Sequence, residues 1–344
     1  MQPKFKYLLA SIFKYWNHYQ AILPHNLNWQ LKLGSREKMF LSQSPLIVCD
    51  VGARGSAPEE LAPFFPFMTY CAFDADKEEC DRLNRMPHPY RSFSIFPYFI
   101  ARDTRRMVFN LCTERGHSSC YKPGKRFKTV FAGEGFAVER EIEVTSSSLN
   151  EVYLKEAIAL PDFLKLDTQG SELEILQGAD AIINNACMIE IEVEFLEMYE
   201  GQPLFHDVLK YMTEQGFELL YLNRVFGQRN QVFEGKSRGQ LIFGDALFGR
   251  REDCLGGFSK ERLVKYILML LNYGHSDFAA HLLLLHPDIN KEFPVLSELI
   301  SMRKHGSMLK RGIISQIDKL ILLLLHMRKY NQISYDSDRS WPMR

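Results

Sequence analysis

The sequence predicts an α/β fold, a mainly parallel sheet with helices on both faces, and two segments carry that expectation. In the first, Phe163-Leu164-Lys165-Leu166 is a short, mostly apolar run suited to a buried strand. Asp167 ends it, Gly170 permits a sharp turn, and a helix follows at once through Gln177. Ser171 and Glu174 have the spacing of a capping box. Asp167 and Gln169 are thus expected at the carboxyl end of a parallel strand, where open α/β sheets hold their ligands. The competing reading of Asp167 is a plain helix cap.

The second segment, Pro45-Leu46-Ile47-Val48-Cys49-Asp50-Val51-Gly52-Ala53-Arg54-Gly55, is again strand, acid and glycine turn. Further on, Tyr70-Cys71-Ala72-Phe73-Asp74 is another short strand ending in an acid. Such a βαβ unit suits an adenosine-bearing ligand, with backbone amides approached past glycine and the second acid on the ribose hydroxyls. The turn Gly-Ala-Arg-Gly lacks G-x-G-x-x-G spacing, which disfavours a dinucleotide, and no G-x-x-x-x-G-K-[ST] occurs, which excludes a P-loop NTPase.

With these residues in view, the chain resembles the FkbM-type S-adenosylmethionine-dependent methyltransferases from about Leu46 to Arg250. Asp50-Val51-Gly52-Ala53 and Ala72-Phe73-Asp74 are generic to Rossmann-like methyltransferases. More specific are the block from Phe163-Leu164-Lys165-Leu166-Asp167 to Leu176-Gln177-Gly178-Ala179 and the block Met198-Tyr199-Glu200-Gly201-Gln202-Pro203-Leu204-Phe205. Gly116-His117-Ser118-Ser119, Glu192-Val193-Glu194-Phe195 and Gly239-Gln240-Leu241-Ile242-Phe243-Gly244-Asp245-Ala246-Leu247 complete the match. The resemblance implies S-adenosylmethionine as cofactor, held by Asp50, Gly52, Ala53, Gly55, Asp74 and Ala75 with Ser118 and Ser119 from a loop above. It further implies O-methyl transfer to a sugar hydroxyl of a bacterial glycan or glycosylated metabolite. Asp74-Ala75 stands where such proteins usually carry glutamate and proline, and aspartate reaches one methylene less far.

A sugar hydroxyl is a very weak acid near neutrality, so its methylation calls for a general base. The candidates are Asp167, Glu192, Glu194 and His117. In Met188-Ile189-Glu190-Ile191-Glu192-Val193-Glu194, strand alternation puts the three glutamates on one face, a costly arrangement unless they are paired or line a cleft. Asp167 and Glu194 either converge on the acceptor or hold a divalent cation. Tyr199 and Gln202, an aromatic and an amide after that strand, suit a carbohydrate at a cleft mouth, as does Gln169. A nicotinamide-dependent sugar oxidoreductase and a non-catalytic scaffold with a methyltransferase fold are the rival classes.

Composition sets the surroundings. Lysine plus arginine equals aspartate plus glutamate at 42 each, so no net field points to a nucleic-acid partner. The seven cysteines are scattered without zinc spacing, which suits reduced thiols in a cytoplasm. No apolar run approaches the ~20 residues of a membrane span. The apolar start is cut by Lys14, against a cleaved signal peptide.

Three regions are expected: a helical lead over 1–44, a Rossmann-like methyltransferase domain over 45–253 and a helical C-terminal region over 254–344. In the lead, Phe5, Leu8, Leu9, Ile12, Phe13 and Trp16 form one apolar stripe, read as docking onto the protein's own core, with peripheral membrane contact as the alternative. Arg102 to Gly135 reads as a hairpin with a mobile loop. Beyond Gly256-Gly257, Ser259 and Ser276 open helices that stop at Gly274 and before Pro287. Apolar periodicity resumes over Val295–Met302, and Ile313, Ile317, Leu320 and Leu324 form a narrow seam. The glycine pair reads as a domain boundary, so a chain ending near Asp253 is expected to fold.

Overall fold

Short apolar runs buried on both faces build the sheet that organises this chain, as seen in a computed structural model that describes residues 31–53, 56–229, 239–294, 296–297, 300 and 335–337. The expected stripe from Phe5 to Trp16, Gly55, and the Ile313–Leu324 seam lie outside the described residues.

Strands β1 (Leu46–Val51), β2 (Met68–Phe73), β3 (Ser92–Phe96), β7 (Phe163–Leu166) and β8 (Met188–Glu194) pair in parallel. β9 (Phe217–Gly227) and β10 (Gln240–Arg250) extend the sheet, β10 running antiparallel to both β8 and β9. A short strand β11 (Tyr335–Ser337) borders β9. The order is β11-β9-β10-β8-β7-β1-β2-β3, so the winding reverses between β1 and β7. A crevice opens at such a switch point, outside the carboxyl ends of the strands.

The two faces of the sheet bury different cores. Leu46 and Val48 enter one cluster with Phe163, Met188 and Leu247, and the neighbouring Cys49 and Val51 enter the other with Leu164, Ile189, Ile191 and Val193. The second face is covered by α3 (Leu149–Lys155), α4 (Glu172–Gln177), α5 (Asp180–Asn185) and α6 (Phe205–Glu214), which contribute Val152, Ile175, Ile182 and Met212. The first is covered by α1 (Ser35–Gln43), a 3-10 helix Glu59–Phe67, α2 (Lys77–Leu83) and the C-terminal helices, through Leu41, Phe64, Cys80 and Tyr266.

A smaller sheet, ordered β4-β6-β5, stands over the crevice and comprises β4 (Phe99–Ile100), β5 (Arg106–Cys112) and β6 (Val138–Ser147). Only β5 of the β5–β6 hairpin falls in the stretch Arg102–Gly135 expected to form one; β6 lies beyond it. The connection between these strands is more structured than a bare loop. It contains short helical turns from Lys125 to Phe136 and packs Phe127, Phe131 and Phe136 against Met198, Tyr199 and Ile242 in a third apolar cluster.

The C-terminal region also departs from expectation. Helices α7 (Lys260–Asn272) and α8 (Ser276–Leu285) do begin at Ser259 and Ser276, with Ser259 Oγ accepting from Arg262 N. However, every residue from Leu263 to Asn272 is buried. A helix enclosed all round is part of a core, and α7 shares its cluster with Val48, Phe163 and Met188 of the sheet. Lys265 Nζ donates to Asp162 Oδ2 at 2.9 Å, with both side chains under 10 % exposed at 8% and 3%. Tyr266 Oη donates to Arg250 O, and Asn272 Nδ2 to Glu60 O. The glycine pair Gly256-Gly257 is a surface turn, with open space around both positions, between two parts of one core. A short third helix, α9 (Pro287–Glu292), follows. Among the described residues no helix is long and apolar enough to cross a membrane, and all seven cysteines are free.

Candidate active site

At the switch point lies a cavity of about 840 Å³. Its floor is made by the ends of β1, β2 and β7, including Asp50, Gly52, Ala53, Asp74, Ala75, Lys165, Asp167 and Gln169, with Glu192 from β8. The small sheet supplies an apolar wall through Phe109, Leu111, Ile142 and Val144, and Arg115, Ser118 and Cys120 lie beside it.

Strand alternation explains the charged floor. Ile189, Ile191 and Val193 occupy the core on one face, so Glu190, Glu192 and Glu194 project from the other. By the same rule Asp50 and Lys165 share that face, and Asp50, Lys165 and Glu190 are register partners across β1, β7 and β8. Lys165 Nζ donates to Asp167 Oδ2 at 3.2 Å. Burial works against its charge, yet Asp50, Asp167 and Glu190 raise its pKa above the ordinary lysine value. Tyr70 Oη donates to Asp50 Oδ2 at 2.6 Å, leaving the buried Oδ1 without a partner. Burial pushes Asp50 upward, opposed by Lys165 and the tyrosine bond. Glu190, which accepts from Tyr273 Oη, is pushed up to about 8, first by burial and then by Asp245.

Asp167 is no helix cap. The amides of Thr168 and Gly170 donate instead to Glu172, at 2.6 Å and 3.0 Å, and Glu172 is 2% exposed. The capping box expected at Ser171 and Glu174 is absent too: Ser171 Oγ turns to Thr168, while Glu174 accepts from Arg105 and Tyr121. With its neighbours so occupied, Asp167 keeps its oxygens for Lys165 and for Gln169 Nε2 at 3.1 Å.

Gln169 is the hinge of the site. It sits at φ 60°, a left-handed conformation that costs a non-glycine residue roughly 1 kcal/mol or more. Its side chain accounts for the choice: Nε2 donates to Asp167 Oδ1 and, at 2.9 Å, to Glu192 Oε1, and Oε1 lies 2.9 Å from Tyr199 Oη. Glu192 is held well above the usual carboxylate range by burial, with the Asp167 and Glu194 charges adding to the shift. Across the β8–β10 ladder its register partner is Asp245, pushed up to about 6 by burial and accepting from Asn223.

Several expected site residues have other duties. Glu194 is 2% exposed and off the cavity wall; burial and the charges of Glu172 and Asp167 raise its pKa. The His117 ring stacks on Phe136 with centroids 3.9 Å apart, and its carbonyl lies 3.1 Å from Tyr199 Oη, so it also stands behind the wall. Tyr199 is fully buried, and Gln202 folds back so that Oε1 accepts from Tyr199 N. These two support Gln169 from beneath the surface. Ser119 Oγ donates to Gln169 O at 2.7 Å and Ser118 Oγ accepts from Cys112 N, so both tie the loop down, Ser118 at the cavity edge and Ser119 wholly buried.

The glycine turn also works differently from expectation. Gly52 N and Ala53 N both donate to Phe73 O and are not aimed at a ligand. Gly52 has φ +85°, and a Cβ there would lie 1.9 Å from Asp167 O, so the glycine lets the end of β1 close against the end of β7. Asp74 Oδ1 accepts from Asp76 N at 2.7 Å in a tight turn that leaves the carboxylate on the cavity wall. Among the described residues no three His, Cys, Asp or Glu side chains are grouped to hold a metal ion.

Lys165, Tyr70, Glu172 and Asp245 belong to the site although the sequence alone assigns them no role in it. Lys165 carried a signal, a lone charge in a four-residue strand otherwise apolar.

The sheet order and the crevice at its switch point are those of a Rossmann-like α/β fold. Residues 52–219 match the family model described as the methyltransferase FkbM domain. No curated protein sequence is significantly similar. Among solved structures, a Pyrococcus horikoshii protein described as an RNA methyltransferase is 11% identical, with 67% of this chain and 95% of that one covered at a TM-score of 0.28. The 16S rRNA methylase ArmA is 10% identical, covering 64% and 88% at a TM-score of 0.25.

Proposed function

We propose that this protein transfers a methyl group from S-adenosylmethionine to a hydroxyl of a glycan or glycosylated small molecule, in the cytoplasm. The observation that carries the reading is one continuous cavity with Asp50 and Asp74 at the ends of β1 and β2 and the Asp167, Gln169 and Glu192 cluster beside them at the ends of β7 and β8. The unpartnered Asp50 Oδ1 suits the ammonium of the cofactor's methionyl part, and Asp74 suits its ribose hydroxyls. When bound, S-adenosylmethionine supplies an electrophilic methyl carbon and a good leaving group. The protein's part is to orient the acceptor and accept its proton.

Asp167 and Glu192 are the proton acceptors in this reading. Gln169 Nε2 donates to both and fixes their separation, and the raised proton affinity of Glu192 suits a base for a weakly acidic hydroxyl. The matched numbers of acidic and basic residues favour an uncharged or modestly charged acceptor over a nucleic acid. Mass spectrometry of the producing cell's surface glycans, with and without the protein, is expected to differ by one added methyl group. Identical spectra would count against a glycan acceptor. Fluorescence of a bound nicotinamide would favour the oxidoreductase reading, and failure to bind S-adenosylhomocysteine would favour a scaffold.

A further inference from the structure

We propose that Lys165 is a positioning residue whose ammonium, seated between Asp50, Asp167 and Glu190, offsets their negative charge and holds the Asp167 side chain turned into the cleft as a proton acceptor. The role as acceptor rests on the methyl-transfer reading; the charge compensation does not. Lys165 lies on a strand whose neighbours present acids at the same level on both sides, Asp50 and Glu190, and like charges so placed repel. The side chain is 20% exposed, lines the cavity, and reaches Asp167 Oδ2 at 3.2 Å. The groups that face this cluster are Asp50 and Tyr70 from β1 and β2, Asp167 beyond β7, and Glu190 and Glu192 from β8. Asp245 from β10, Glu60 from the 3-10 helix and the Tyr273 hydroxyl beyond α7 complete the set. Lys165 is the cation among them.

Lys165→Met keeps the aliphatic stem and deletes the charge. Burial already raises Asp50 and Glu190 against the opposing pull of Lys165; without the ammonium they bind protons more tightly still in the folded state, so stability falls more steeply than in the wild type as pH rises. The melting temperature is expected to fall by roughly 5–10 °C at pH 8 and by much less at pH 5. The double variant Lys165→Met with Glu190→Gln removes one acid together with the cation and is expected to regain part of the loss at pH 8. It also keeps the test decisive if the single variant fails to fold. Equal losses at both pH values, or no regain in the double variant, would overturn the proposal and leave Lys165 a packing stem. S-Adenosylhomocysteine titrated into the wild type in parallel separates the two questions, because absent binding would sink the methyl-transfer reading while the pH-dependent loss stood.

Discussion

A chain ended at Asp253 is expected to be insoluble or unfolded. Helix α7 is buried along its whole length from Leu263 to Asn272 and shares one cluster with the sheet residues Val48, Phe163, Met188 and Leu247. Full burial of a Leu, Ile, Met or aromatic side chain is worth about 1.5–3 kcal/mol, so losing this helix removes a sum comparable to or larger than the ~5–15 kcal/mol net stability of a domain. The cut also strands Asp162, which is 2% exposed and pairs with Lys265. Breaking a buried pair from one side costs about 3–5 kcal/mol. Circular dichroism and size-exclusion chromatography of the truncated chain test this. A monodisperse, cooperatively melting product would restore the view of the C-terminal region as a separate module.

The second large effect is catalytic. Asp167→Asn keeps the size of the side chain and removes its charge, and turnover is expected to fall about 10²- to 10⁴-fold. The fold should tolerate the change, because the turn after β7 is closed by Glu172 and Lys165 retains Asp50 and Glu190 as counter-charges. A melting temperature within a few degrees of wild type therefore accompanies the lost activity. A large drop in melting temperature with intact specific activity would mean that Asp167 is structural.

What sequence could disclose here follows from the range of the interactions involved. Strand alternation and terminal acids are local, so β1, β2, β7 and β8, the glutamate face and the carboxylates at the strand ends were readable. Helix starts at Ser259 and Ser276 were readable for the same reason. The capping box depended on competition: Ser171 and Glu174 have the spacing, but Ser171 Oγ bonds Thr168 and Arg105 claims Glu174, whereas Ser148 and Glu151 form the box at α3. Tertiary contacts decided the rest. Gly52 answers to a carbonyl more than a hundred positions away, and His117, Tyr199 and Gln202 are drawn behind the wall by Phe136 and Gln169. The connection after β5 looked polar because its three phenylalanines are spread among charges, and only the arrival of Tyr199 and Ile242 makes them a core.

The most direct test of a cofactor cleft at the β1/β7 switch point is calorimetric titration of the full chain with S-adenosylhomocysteine. Saturable binding is expected for the wild type, with none for NAD. Asp74→Ala, which removes the cavity-wall carboxylate at the end of β2, is expected to weaken it roughly 10- to 150-fold, the equivalent of about 1.5–3 kcal/mol for a hydrogen bond to a charged group. Absence of binding to the wild type, or an Asp74→Ala variant that binds as tightly as the wild type, would contradict it.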